Sequence, residues 1–213
     1  MPHLSAVLFD FGKVLTLQPN PAVWIQLKTI SGLSEGDLQR DYWRLRDDYD
    51  SGHLDGDAYW TAIGQAGGKS FTQQTLADLK AADVRLWTEM NTPMLAWVDT
   101  LHQAGVRTGI LSNMPDAMAD GIEAQFAWLT RFHHITWSYK LKLRKPQPEI
   151  YAVAVAGLGV PAHEILFVDD IAANIAAARA AGMHALLYAR HAEFVSEFCA
   201  AAFSGVPLPV VAL

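Results

Sequence analysis

Two hydrophobic periodicities divide this chain. Ala6-Val7-Leu8-Phe9 is an unbroken apolar run into Asp10, which predicts a short buried strand ending in an acid. Apolar positions then recur at helical spacing. Val23, Trp24, Leu27 and Ile30 follow the helix-opening pair Asn20-Pro21 and precede Gly32. A second helix is expected from Ser34 through Tyr42, Trp43, Leu45 and Arg46, fraying around Asp50-Ser51-Gly52. A third follows Asp55 with Tyr59, Trp60 and Ile63, and a fourth starts near Thr72 with Leu76, Leu79, Val84, Leu86 and Trp87. Residues 19–90 carry no convincing strand.

From Thr92-Pro93 onward helices and strands alternate. A helix through Leu95, Trp97, Val98 and Leu101 leads to a strand, Val106 to Leu111, ending in Ser112-Asn113. A helix follows Pro115, then a strand from His133 to Trp137 and a helix from Pro148. Ile165 to Val168 is a buried strand ending in Asp169-Asp170, followed by an alanine-rich helix, a strand from His184 and a last helix from Ala192. Such alternation specifies an α/β fold, a three-layer Rossmann-like parallel sheet wrapped on both faces. The expected organisation is a core formed by residues 1–17 and 91–213, with a small helical cap, residues 18–90, inserted after the first strand. Ligands of such sheets bind beyond the carboxyl ends of the strands, and Asp10, Ser112 and Asp169-Asp170 all fall there.

Composition narrows the class. Hydrophobic residues make up 51% of the chain and charged residues 18%, so it has the apolar content for a packed core. The net charge of -6 argues against a nucleic-acid surface, which needs clustered Lys and Arg. An anionic substrate therefore needs a local electropositive site or a metal. Cys199 is the only cysteine, and no apolar run is long enough to span a bilayer; a cytoplasmic monomer or homodimer is expected, with no membrane partner. The apolar tail Gly205 to Leu213, with its two prolines, is expected to be extended and packed on the body.

Taken singly, each strand-end group has an ordinary explanation. Asp10 could accept hydrogen bonds in an Asx-type turn, Ser112-Asn113 and Asp169-Asp170 could cap helices, and Lys145 before a proline could be a solvated loop residue. Gly12 can adopt backbone angles that a Cβ resists, so a sharp turn after Asp10 is expected. Asn174, one helical turn beyond Asp170, is read either as orienting that loop or as an exposed helix residue.

In order along the chain, Phe9-Asp10-Phe11-Gly12, Leu111-Ser112-Asn113, Arg144-Lys145-Pro146 and Phe167-Val168-Asp169-Asp170, with a helical insertion between the first two, resemble the haloacid dehalogenase-like hydrolase superfamily over nearly the whole chain. The resemblance implies a phosphatase of a small phosphorylated metabolite. Asp10 would be the nucleophile that forms an aspartyl-phosphate. Mg²⁺ would be held by Asp10, the Gly12 carbonyl and the acidic pair, with Asp170 the direct ligand and Asp169 in support. Phosphate would meet Phe11, Gly12, Ser112, Asn113 and Lys145, the lysine neutralising charge on the transferring group.

One departure matters. Phosphatases of this superfamily usually carry a second Asp two residues after the nucleophile, which protonates the leaving group and activates water. Here that residue is Gly12, and no acid follows until Glu35. Two alternatives stay open: a metal-independent 2-haloacid dehalogenase, and a catalytically weak binding or regulatory member of the same fold. The aromatic residues of the insertion are expected mainly in its core, and His53 at its surface.

Overall fold

The computed structural model describes residues 1–209. At its centre lies β1 (Ala6–Phe9), every residue of which is buried. A tight turn leads into α1 (Pro21–Ser31), α2 (Glu35–Arg44), α3 (Arg46–Asp50), α4 (Gly56–Ala66) and α5 (Gln73–Leu86). Then follow α6 (Thr92–Gln103), β2 (Arg107–Ser112), α7 (Asp116–Gln125), β3 (His134–Trp137), α8 (Ser138–Leu141), α9 (Pro148–Leu158), β4 (Ile165–Asp169), α10 (Ala172–Ala180), β5 (His184–Leu187) and α11 (His191–Ala201). The sheet is wholly parallel in the order β3-β2-β1-β4-β5.

Alternation along the strands builds the layers. Val7 and Phe9 belong to one core with Trp97 of α6, Ile122 of α7 and Phe198 of α11. Ala6 and Leu8 belong to the opposite core with Ile150 and Leu158 of α9 and Ala178 of α10. The helices α1 to α5 close a separate core of their own around Tyr42, Tyr59, Trp60 and Leu79.

The caps fall where the side chains predict. Asn20, Ser34, Asp55 and Thr72 each accept a backbone N–H in the first turn of α1, α2, α4 and α5, and Gly32 ends α1 at φ +61°. The expected second helix is instead two, because it bends at Leu45 (φ −95°, ψ −2°) to start α3. The four-residue α8 was not expected, being too short to show a helical period.

The connections into and out of α1–α5 run side by side. Leu17 N donates to Glu89 O (2.7 Å), Asn91 N to Leu15 O (2.9 Å) and Asn91 Nδ2 to Val14 O (2.8 Å). In the tail, Trp97 Nε1 donates to Pro207 O (3.0 Å) and Pro209 is buried, so its described part packs on the body; residues 210–213 lie outside the described residues. Among the described residues no helix is long and apolar enough to cross a membrane.

Candidate active site

The strand order reverses beside β1: the chain steps outward to β2 and β3, then returns to place β4 on the other side of β1. The carboxyl ends of β1 and β4 therefore flank the crevice where such sheets bind ligands. Phe9 is level with Val168, and Asp10 N continues the ladder to Val168 O (2.9 Å), which brings Asp10 beside Asp169.

Asp10 is 6% exposed. Its Oδ1 accepts from Phe11 N (2.7 Å) and lies 2.7 Å from Lys145 Nζ, so both contacts fall on one oxygen. The turn that follows corrects the expectation for Gly12. Its angles are φ −65° and ψ 130°, which any residue adopts, and a Cβ there would meet Trp87 at an ordinary 3.8 Å. The left-handed residue is Lys13, at φ 60°. Thr16 holds the turn, its Oγ1 accepting from Lys13 N (3.1 Å) and its N donating to Phe11 O (3.1 Å). Lys13 Nζ then lies 3.2 Å from Asp170 Oδ2.

The two acids after β4 have different surroundings. Asp169 is fully buried and its oxygens are engaged: Lys145 Nζ at 2.7 Å, Ile171 N at 2.8 Å, and Asn174 Nδ2 at 3.0 and 3.1 Å. Asn174 is thus buried and orients this loop; the exposed alternative does not hold. The side chain of Asp170 is 16% exposed. Oxygens of Asp10, Asp169 and Asp170 lie within 4.8 Å of one another, a hard-oxygen set that fits a divalent cation such as Mg²⁺.

Lys145 is 2% exposed and bridges Asp10 and Asp169. Burial opposes its charge, yet the pull of Asp10 and then Asp169 holds the ammonium above its usual value. Asp10 is pushed the other way, up to about 6, chiefly by burial; Lys145 opposes this and Asp169 and Asp170 add to it. Asn113 fixes the lysine, its Oδ1 accepting from Lys145 N (2.7 Å) and its Nδ2 donating to Lys145 O (3.1 Å). That clamp was not legible in the sequence, since nothing local links residues 113 and 145. It also means that only the Asn113 backbone remains for a ligand.

Asp10, Lys13, Lys145, Asp170 and Asn174 line a cavity of about 380 Å³, while the buried Asp169 is not in its wall. Ser112, Asn113 and Gly12 are in its wall, and so are Trp43, Arg46, Asp47, Asp50 and Trp87 from the α1–α5 side. Sequence distance hid Asp47 and Asp50, which α3 carries to the cavity although they stand far from Asp10 in the chain. Tyr42, Tyr49, Tyr59 and Trp60 are core residues, each at most 1% exposed, whereas Trp43 is half exposed at the cavity. His53 is at the surface.

The model of the haloacid dehalogenase-like hydrolases matches residues 4–182. The chain belongs to this family. A phosphoglycolate phosphatase of Xanthomonas campestris is 40% identical over 83 residues, 39% of this chain and 38% of that enzyme, so the similarity spans under two-fifths of either protein. Among solved structures, a HAD family enzyme from Bacteroides thetaiotaomicron superposes with a TM-score of 0.76 over 92% of this chain and 98% of the other, at 19% identity; it has also been solved with magnesium and inorganic phosphate. An L-2-haloacid dehalogenase from Xanthobacter autotrophicus reaches 0.66 over 96% and 85%, at 20% identity. Both likenesses are of fold. As a haloacid dehalogenase-like hydrolase, the chain carries its acids and Lys145 at the sheet edge.

Proposed function

We propose that this hydrolase is a Mg²⁺-dependent phosphatase that acts on a small phosphorylated metabolite through an aspartyl-phosphate at Asp10, in the cytoplasm. The observation that carries the reading is the cluster of Asp10, Asp169 and Asp170 around Lys145. Paired acids at a strand end suit a divalent cation, and a metal-independent dehalogenase gains little from them. The partial similarity to phosphoglycolate phosphatases points the same way.

In this mechanism Asp10 attacks phosphorus with Oδ2, since both of its contacts occupy Oδ1. Lys145 offsets charge on the transferring phosphoryl group, held in place by Asn113. Ser112 and the backbone amides of Gly12 and Asn113 point donors at phosphate oxygens. Asp10, the Gly12 carbonyl and Asp170 would hold Mg²⁺, with Asp169 positioning Lys145 and the loop. When bound, the cation screens the approach of one anion to another. Residues 18–90 serve as the cap, presenting Trp43 and Arg46 to the leaving group.

A second reading rests on Gly12, which offers no side chain to protonate a leaving group: a binding member of the family with little turnover. Hydrolysis of para-nitrophenyl phosphate, with Mg²⁺ and with chelator, separates the two. Metal-dependent turnover that Asp10→Asn abolishes supports the phosphatase; no turnover of this undemanding ester by the folded protein removes it.

A further inference from the structure

Expelling an alkoxide from phosphorus requires a proton, and the groups around Asp10 do not offer one. Gly12 has no side chain, Asp169 is surrounded by donors, Asp170 faces Lys13, and Lys145 is shared by two carboxylates. Among the described residues two further carboxyls line the cavity, Asp47 and Asp50 of α3. Asp47 is 69% exposed and paired with Arg144 (2.9 Å). Asp50 differs on both counts, with a side chain only 14% exposed.

Its surroundings favour a retained proton. Arg46 Nε lies 2.7 Å from Asp50 Oδ1, off the line of its N–H, so that oxygen has a nearby charge but no aligned donor. The same guanidinium faces Asp83 at 3.5 Å. Two buried carboxyls thus share one cation, and ionising both would leave a net negative charge inside the protein. Asp83 has the aligned donor, Tyr42 Oη at 2.6 Å, so its charge is the better supported. Burial pushes Asp50 up to about 7, Arg46 opposing and Asp83 and then Asp47 adding; Tyr59 also feels its charge.

Its place is fixed as well. Ser138 Oγ accepts from Met114 N (2.8 Å) and donates to the Asp50 carbonyl, seating the end of α3 against the loop that carries Ser112 and Asn113.

We propose that Asp50 is the acid and base of the reaction at Asp10, delivered from the helical segment instead of from position 12. The proposal rests on the phosphatase reading above. As Asp10 bonds to phosphorus and the ester P–O bond breaks, the leaving oxygen takes the Asp50 proton and departs as the alcohol. Water then attacks the aspartyl-phosphate and gives a proton to the Asp50 carboxylate. The P–O bond to Asp10 breaks, phosphate leaves, and both acids return to their starting states.

The test uses para-nitrophenyl phosphate and phenyl phosphate, similar in shape but differing in how much the leaving oxygen needs a proton. In D50N, phenyl phosphate turnover falls by about 10²–10⁴-fold. With the nitrophenyl ester the variant gives a burst of nitrophenol and then slows, because the phosphoenzyme lacks its base. G12D added to D50N restores phenyl phosphate turnover, which a purely structural role of Asp50 does not allow; position 12 has the room and the backbone for it. Equal losses on both esters in folded D50N, without a burst, overturn the assignment to Asp50 alone. A wild type that turns over neither ester and takes no label on Asp10 overturns the phosphatase reading and this proposal with it. Should D50N not fold, the wild type decides: rates on the two esters within about tenfold support a built-in acid, and a preference beyond about 10³-fold for the nitrophenyl ester removes it.

Discussion

Lys145→Met removes the one cation that, among the described residues, touches both Asp10 and Asp169. The ammonium is 2% exposed and 2.7 Å from each carboxylate. Deleting one partner of a buried ion pair costs about 3–5 kcal/mol, because the remaining charge is stranded. If about 3 kcal/mol of that belongs to Asp10, the conversion of 1.36 kcal/mol per pH unit moves its carboxyl up by about two. Starting from about 6, it would titrate near about 8, so the ionised fraction at pH 7 falls from about 0.9 to about 0.1. That shift belongs to the metal-free protein; in Mg²⁺, whose charge keeps Asp10 ionised, lost stabilisation of the transferring group lowers kcat by about 10²–10³-fold.

The stability signature has a defined sign. A carboxyl raised above its ordinary value of 3.8 stabilises the fold at low pH, and that contribution is lost as pH rises through the folded value. The variant is therefore penalised most at pH 9 and least at pH 5, where Asp10 carries its proton in both proteins and only the pair with Asp169 is missed. Denaturant unfolding in chelator at pH 5, 7 and 9 measures this, with para-nitrophenyl phosphate turnover in Mg²⁺ alongside. A penalty under about 1 kcal/mol at every pH, or retained kcat, would refute the reasoning.

Further outcomes follow from the same contacts. Mg²⁺ at ten times its Kd should stabilise the wild type by about 1.4 kcal/mol, read as a rise in Tm over chelator, and Asp170→Asn should abolish that rise without lowering metal-free stability. Asp169→Asn should instead lower metal-free stability by about 1–3 kcal/mol, since donors from Lys145, Ile171 and Asn174 lose their charged acceptor. Asn113→Ala releases the Lys145 backbone and should reduce kcat with little change in KM, checked by steady-state kinetics. Arg144→Ala breaks an exposed pair with Asp47 and should leave unfolding free energy within about 1 kcal/mol.

The fold was legible because its signals are local. The apolar run into Asp10, the caps Asn20, Ser34, Asp55 and Thr72, and the strand ends at Ser112 and Asp169 all lie in windows a few residues wide. The site was legible in its order along the chain and illegible wherever it depends on contacts at long range. Asn113 gripping the Lys145 backbone spans 32 residues. Lys13, in place of Gly12, takes the left-handed angle because Thr16 closes the turn around it. Asp50 could not be weighed as a substitute for the absent acid, since only α3, split from α2 at Leu45, brings it to the cavity.

The central claim is that Asp10 becomes phosphorylated. Labelled acetyl phosphate is mixed with the protein and Mg²⁺, the reaction is stopped in acid, and the labelled peptide is mapped. The account predicts label on Asp10, at most one phosphate per chain, lost on treatment with hydroxylamine and absent from Asp10→Asn. Mg²⁺-dependent turnover without that label, or with the label on another residue, would contradict it.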